Sequence, residues 1–204
     1  MLAPVQPKAH AATVSRKLEQ THLVLAHPGP SALSHDRFAA RIFAEIFGGG
    51  MASRLFQDVR ESRGLAYTID ASAEQYSDAG RISVFAGCAP GDALEVGAIT
   101  RDIWADIAAK GPTEAEMSRA RAVAATGYAM AAEAPAARAG SAAYELLAFD
   151  RLIAIEDVLR QIDSVTIADV SRIAAQALAG PPIAAAVGPK AGLAAAEAFV
   201  SFRS

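Results

Sequence analysis

Gly48-Gly49-Gly50-Met51-Ala52-Ser53-Arg54-Leu55-Phe56-Gln57-Asp58-Val59-Arg60-Glu61-Ser62-Arg63-Gly64-Leu65-Ala66-Tyr67 joins a helix end, a short charged helix and the entry of a strand. The three glycines follow Phe38, Ile42, Phe43, Ile46 and Phe47, which recur at helical spacing. Glycine takes left-handed conformations without a Cβ penalty, so Gly48 to Gly50 are expected to end that helix. Residues 52–61 then read as a shorter helix, with Leu55, Phe56 and Val59 on one side. After Arg63-Gly64 the period changes to two. Leu65, Tyr67, Ile69, Ala71 and Ala73 alternate with Ala66, Thr68, Asp70, Ser72 and Glu74, the pattern of a strand with one buried face.

Upstream, residues 21–27 are rich in branched apolar side chains and stop at Pro28-Gly29-Pro30, which reads as a central strand. An earlier strand near residues 12–16 is expected to pair with it, and Ser34 or Asp36 to cap the helix that follows. Downstream, Ser77-Asp78-Ala79-Gly80 is a turn, and residues 81–88 return to complete a hairpin. Val96, Ile99, Ile103, Trp104 and Ile107 form a helical stripe that ends at Gly111-Pro112, and Thr113 with Glu116 makes a capping box for the next helix. Further helices are expected from Pro135 to about Phe149, over residues 155–162, and over 166–178 with Thr166 as N-cap. Residues 183–187 form a last strand. The sum is α+β: a mainly antiparallel sheet with helices packed on one face.

With 204 residues, 52% hydrophobic and 20% charged, the chain can bury a sizeable core. Residues 1–11 read as a tail or linker without a signal peptide's apolar segment, and 12–204 as a single domain. The formal net charge is -3 with the basic residues scattered, which argues against nucleic-acid binding, and no apolar run reaches the length of a membrane span. A cytoplasmic location is the corresponding expectation. The single cysteine, Cys88, lies in an apolar strand-like run and reads as a buried structural thiol.

The histidines His10, His22, His27 and His35 form no His-x-x-Glu-His or His-Glu-x-x-His arrangement, and each is expected in a surface or turn role. His22 and His27, five apart in a strand, point to opposite faces. There is no Gly-x-Ser-x-Gly elbow, and Gly48 to Gly50 follow a helix without a Gly-Lys-Ser/Thr, so neither a serine triad nor a phosphate cradle is supported. Arg60 and Tyr67 remain. An arginine offers a fork of donors to carbonyls or carboxylates, and a tyrosine hydroxyl can donate to an oxyanion. The ordinary alternative is a helix C-terminal cation and a core aromatic, and strand alternation places Tyr67 with the apolar set.

The segments Glu19-Gln20-Thr21-His22-Leu23-Val24-Leu25, Gly48 to Phe56, and Arg63-Gly64-Leu65-Ala66-Tyr67 resemble the insulinase/pitrilysin family of zinc metallopeptidases, in particular the C-terminal half of its processing-peptidase-like bacterial members. Tyr76 to Gly80, Ala86 to Pro90, Thr113 to Glu116 and Val187-Gly188-Pro189 continue the likeness from about Val14 onward. The resemblance implies two homologous halves enclosing a chamber. The zinc sits on an inverted motif of the other half, while this half supplies an arginine and a tyrosine seven residues apart. Arg60 and Tyr67 match those positions, as substrate-binding and transition-state-stabilising residues. Gly48, Gly49 and Gly50 resemble, in a shorter form, a loop implicated in presequence binding.

No zinc motif is present here, so the resemblance implies no metal or cofactor in this chain and zinc in a partner half. That partner is either the N-terminal part of a longer protease or a separate homologous subunit. The implied activity is processing-type endopeptidase cleavage of a peptide substrate, with the isolated chain inactive and a homodimer possible. The alternative implied by the same likeness is a non-catalytic structural subunit, as in the core proteins of respiratory complexes.

Overall fold

Leu23, Leu25 and His27 alternate with His22, Val24 and Ala26 to build β2 (Thr21–Gly29), with the first set turned into the core. In the computed structural model, which describes residues 6–201, β2 is the middle of a five-stranded sheet ordered β1-β5-β2-β4-β3. β3 (Ala66–Gln75) and β4 (Gly80–Cys88) form the expected hairpin, and β4 runs antiparallel to β2 with Leu25 opposite Val84. β5 (Ile183–Gly188) lies antiparallel on the other side of β2, with Leu25 opposite Ala184.

β1 (His10–Ser15) does not pair with β2 as expected. It runs parallel to β5, from His10 opposite Ile183 to Ser15 opposite Gly188. Both edges of β2 are already taken, by β4 and by a strand more than a hundred and fifty residues later. Of the tail reading for residues 1–11, the first five lie outside the described residues; β1 is already formed at His10.

The helices α1 (Arg37–Gly48), α2 (Ala93–Lys110), α6 (Ile167–Ala179) and α7 (Lys190–Ser201) cover one face of the sheet. Outside them lie α3 (Glu114–Glu133), α4 (Pro135–Phe149) and α5 (Ile155–Ser164). This is the α+β architecture expected from the sequence. The covered face meets Phe43, Phe47 and Trp104, all fully buried, and the Trp104 ring lies 5.3 Å from Phe43 and 5.0 Å from Phe47. Its indole N–H donates to the Ala174 carbonyl at 3.1 Å, so the one polar atom of that ring is satisfied. The other face carries His22, Val24 and Asp70 and is open, with Val24 37% exposed.

The helix signals act as read. Thr113 Oγ1 accepts from the Glu116 N–H at 3.2 Å, and the Glu116 carboxylate accepts from the Thr113 N–H at 2.7 Å. Thr166 and Asp169 repeat the device at the start of α6. Asp36 occupies the N-cap position of α1 but makes no capping bond; its carboxylate is held by Arg172 at 2.7 and 2.9 Å.

Two further features of the core lie outside the expectations. α7 follows β5 and is not among the helices expected. Gly192 seats it on β2, where an added Cβ would stand 2.0 Å from Thr21 Oγ1. His27 is buried rather than superficial. It packs edge-on to Trp104 at 4.9 Å and Phe199 at 5.5 Å, with Nδ1 3.2 Å from the Gly180 carbonyl oxygen. Burial pushes its pKa down against the opposing pull of the Gly180 and Ala177 carbonyls.

Candidate functional site

Arg54 anchors the segment that carries Arg60. Its guanidinium grips Glu116 through two bonds, at 2.7 and 2.9 Å, and Asp106 at 2.9 Å, with a further contact to the Gly111 carbonyl at 3.3 Å. Bidentate pairing of this kind fixes direction as well as charge. Leu55 and Val59 beside it are fully buried. The segment is therefore pinned to α2 and α3 on one side and to the core on the other.

Residues 52–61 are not the ordinary short helix expected. Phe56–Ser62 is a π-helix, in which the Arg63 N–H reaches the Asp58 carbonyl five residues back at 3.1 Å. The wider turn has no local sequence signature, and such turns recur at functional sites. Gly64 then turns the chain at φ 63°, and the Leu65 N–H returns to the Val59 carbonyl at 2.9 Å. Arg63 spends its charge on Asp58 at 2.6 Å and Glu95 at 3.4 Å.

Tyr67 is where strand alternation fails. Ala66 stands opposite Cys88, but the next pairing is Thr68 opposite Gly87, so Tyr67 is an inserted residue, a β-bulge. The insertion leaves Ala66 buried and turns Tyr67 out, with 76% of its surface exposed. Without it, Tyr67 would share a face with Ile69 and Ala71, as period two requires.

The bulge brings Tyr67 to Arg60. The Arg60 guanidinium lies 5.8 Å from the centre of the Tyr67 ring and 4.6 Å from that of Phe56. Phe56 lies one turn before Arg60, a spacing that could have marked it as the platform for the cation. Among the described residues, the acidic group within 4 Å of the Arg60 guanidinium is Glu61, at 3.9 Å. No described residue hydrogen-bonds the Tyr67 hydroxyl. The π-helix and the bulge thus set a fork of cationic donors beside a phenol, both open to solvent, on a base fixed by Arg54.

A sequence profile of the peptidase M16 inactive domain matches residues 2–123. The chain belongs to the peptidase M16 family. Its relatives include a protein of Mycobacterium tuberculosis described as an uncharacterized zinc protease, 36% identical over 176 residues, which are 86% of this chain and 40% of the relative. A Streptomyces coelicolor protein of the same description is 33% identical over 195 residues, 91% of this chain and 42% of its own. The chain thus spans about two-fifths of the length of these relatives. Among solved structures, a peptidase M16 inactive domain from Pseudomonas fluorescens superposes with a TM-score of 0.78 at 24% identity, over 93% of this chain and 47% of that one. A chain of complex III2 from Candida albicans gives 0.80 at 17% identity, over 88% and 46%. Both show the fold.

The glycine segment of this M16 domain is not ended by left-handed glycines. Gly49 sits at φ -75°, and none of Gly48 to Gly50 has a positive φ. Glycine is needed there for close approach. A Cβ on Gly48 would stand 2.7 Å from both Cβ and N of Ala71 in β3, and one on Gly49 would meet Glu45 at 2.5 Å. Gly49 and Gly50 are exposed. Gly48 lies against Ala71 of β3, four residues beyond Tyr67 and about 13 Å along the strand, so the structure does not bring the glycine segment into the Arg60–Tyr67 pair. Two carboxylic acids flank the segment, Glu45 and Asp70, and burial pushes the pKa of each up.

The M16 domain holds no group of three His, Cys, Asp or Glu side chains among its described residues that could hold a metal ion. His22 stacks on Phe85 at 6.0 Å on the face opposite His27, which is locked in the core. Cys88 is buried, and desolvation raises its thiol pKa to about 11, so it is no thiolate at neutral pH. No helix of the described residues is long and apolar enough to cross a membrane.

Proposed function

We propose that this M16 inactive domain is the substrate-binding and transition-state-stabilising half of a zinc-dependent processing-type endopeptidase. Its zinc would lie in a zinc-bearing N-terminal half or a separate homologous subunit, and its substrate is a peptide. One observation supports the reading above the others. Arg60 and Tyr67 stand side by side and exposed, without a hydrogen bond to a described residue, on a π-helix and a bulge that turn both out of the core.

The chemistry divides between the halves. Zinc, where bound, polarises the scissile carbonyl and lowers the pKa of the attacking water. Arg60 supplies a permanently charged donor fork for a peptide carbonyl or carboxylate, held over the Phe56 ring and free of a tight counter-ion. Tyr67 donates its hydroxyl to the oxyanion that forms as the carbonyl becomes tetrahedral. Neither group is a nucleophile or a base, so this chain by itself cleaves nothing. Gly49 and Gly50 present bare, exposed backbone at the end of α1, where an extended peptide can approach closely.

Chelator-sensitive cleavage of a fluorogenic peptide by the whole protease, or by this chain with its zinc-bearing subunit, tests the proposal. Arg60→Ala combined with Tyr67→Phe is expected to abolish most of that cleavage while leaving assembly intact. Cleavage unchanged by the double substitution would assign the chain a structural part instead, like that of a core subunit of the same fold.

A further inference from the structure

A second polar site lies at the far end of β3, eight residues and roughly 26 Å of strand from Tyr67. The start of α1, Gln75 and the α3–α4 pair enclose a cleft of about 550 Å³ there. Arg37 and Arg41 enter it from successive turns of α1, and Tyr128, Tyr144 and Phe149 wall it from α3 and α4. The Arg37 guanidinium lies 4.6 Å from the ring centre of Phe38 and 5.5 Å from that of Phe149, and one nitrogen donates to Gln161 at 2.8 Å. Two aromatic rings thus pack near the fork, and Gln161 is its one hydrogen-bond acceptor among the described residues. Arg41 stacks on Tyr128 at 4.8 Å and donates to its hydroxyl.

Neither guanidinium has a carboxylate partner among the described residues, in contrast to Arg54 and Arg172. The acid that lines the cleft, Glu145, is committed to the Ile153 N–H at 2.9 Å. Arg37 is half-buried, and desolvation together with the nearby charge of Arg151 pulls its pKa down. Two guanidiniums one helical turn apart, neither ion-paired among the described residues, outnumber the single Glu145 carboxylate of the cleft, and Arg37 is partly desolvated, so an anion there gains more than it would in water. Aromatic walls add stacking surface for a flat body. α4, which closes the cleft, has no fully buried residue, so it can adjust around an occupant.

We propose that this cleft binds an aromatic oxyanion, a flat apolar body carrying one carboxylate or phosphate, with the anion on Arg37 and Arg41 and the body against Tyr128, Tyr144 and Phe149. The site is separate from Arg60 and Tyr67 and does not depend on their assigned role.

Phenyl phosphate and phenylacetate, titrated separately into the full chain and followed by calorimetry, distinguish the two anion sources. At least one is expected to bind saturably with a Kd near ~1 mM or tighter, and inorganic phosphate about tenfold more weakly. Arg37→Gln and Arg41→Gln should each weaken the better ligand about tenfold. Arg41 is exposed on α1, so its variant keeps the fold, and a circular-dichroism melt checks both. The proposal is overturned if neither aryl compound saturates up to ~10 mM, if both variants bind as the parent does, or if inorganic phosphate binds as tightly as phenyl phosphate.

Discussion

Removing the Arg54 side chain tests how the site is held in place. Arg54→Ala deletes two charge-assisted bonds to Glu116, one to Asp106 and the contact to the Gly111 carbonyl. The Glu116 side chain is only 15% exposed and Arg54 21%, so solvent replaces little of what is lost, whereas Asp106 is 39% exposed and loses less. The Arg54 hydrogen bond is the first cause of a Glu116 pKa held down at about 2. A net 1.5–3 kcal/mol is typical for a hydrogen bond to a charged group, and bonds sharing one carboxylate do not add fully. The expected destabilisation is therefore about 3 kcal/mol. For a chain of this length that lowers Tm by roughly 6–12 °C. Arg54→Lys keeps the charge but cannot span Glu116 and Asp106 together, and should recover about half of the loss. Thermal and urea unfolding read both values. A Tm within ~2 °C of the parent for Arg54→Ala, or full recovery by lysine, would refute the view that this fork fixes the π-helix.

Gly48→Ala puts a methyl group 2.7 Å from the Ala71 backbone nitrogen and Cβ, so α1 or β3 must shift; a loss of about 1–3 kcal/mol in urea unfolding is expected. Gly50→Ala, whose Cβ would meet nothing nearer than Glu45 Oε1 at 3.5 Å, should be close to neutral in the same assay. Acid should destabilise the fold in two stages. His27 has a pKa lowered below 6.5, so the unfolded chain binds a proton that the folded one resists, and stability falls as pH drops below about 6.5. Glu116 and Asp169, each held at about 2, remove further stability as pH falls from the usual carboxylate range toward 2. Tm against pH should show both stages, and His27→Phe should flatten the first; an unchanged slope there would exclude His27 as its source.

Much of the fold is legible because it is written locally. Thr113 with Glu116, Thr166, Pro135 and Gly111-Pro112 mark helix ends through contacts within a few residues, and each acts where it stands. What is not legible depends on distant partners. β1 gives no sign that its neighbour is β5, because that pairing is decided once β2 has filled both its edges. Gly192 carries no local signal of its role, which is to let α7 close on Thr21 of β2. His27 reads as polar until Trp104, Phe199 and the Gly180 carbonyl surround it.

The candidate site divides in the same way. The seven-residue separation of Arg60 and Tyr67 is visible in the sequence, but their meeting depends on one inserted residue. Period two assigns Tyr67 to the core, and only the slip from Ala66–Cys88 to Thr68–Gly87 turns it outward. The π-helix is hidden for a similar reason, since five-residue bonding carries no periodic apolar signal over so short a stretch.

The most direct test of the proposed role removes a single oxygen. Tyr67→Phe keeps the ring beside Arg60 and, at a residue 76% exposed, should leave the fold and its Tm unchanged. In the whole zinc-bearing protease, steady-state cleavage of one peptide should show kcat reduced by about 10²–10³ with KM little altered, the signature of a donor that acts in the transition state. A kcat equal to that of the parent would contradict the assignment of the Tyr67 hydroxyl to the oxyanion.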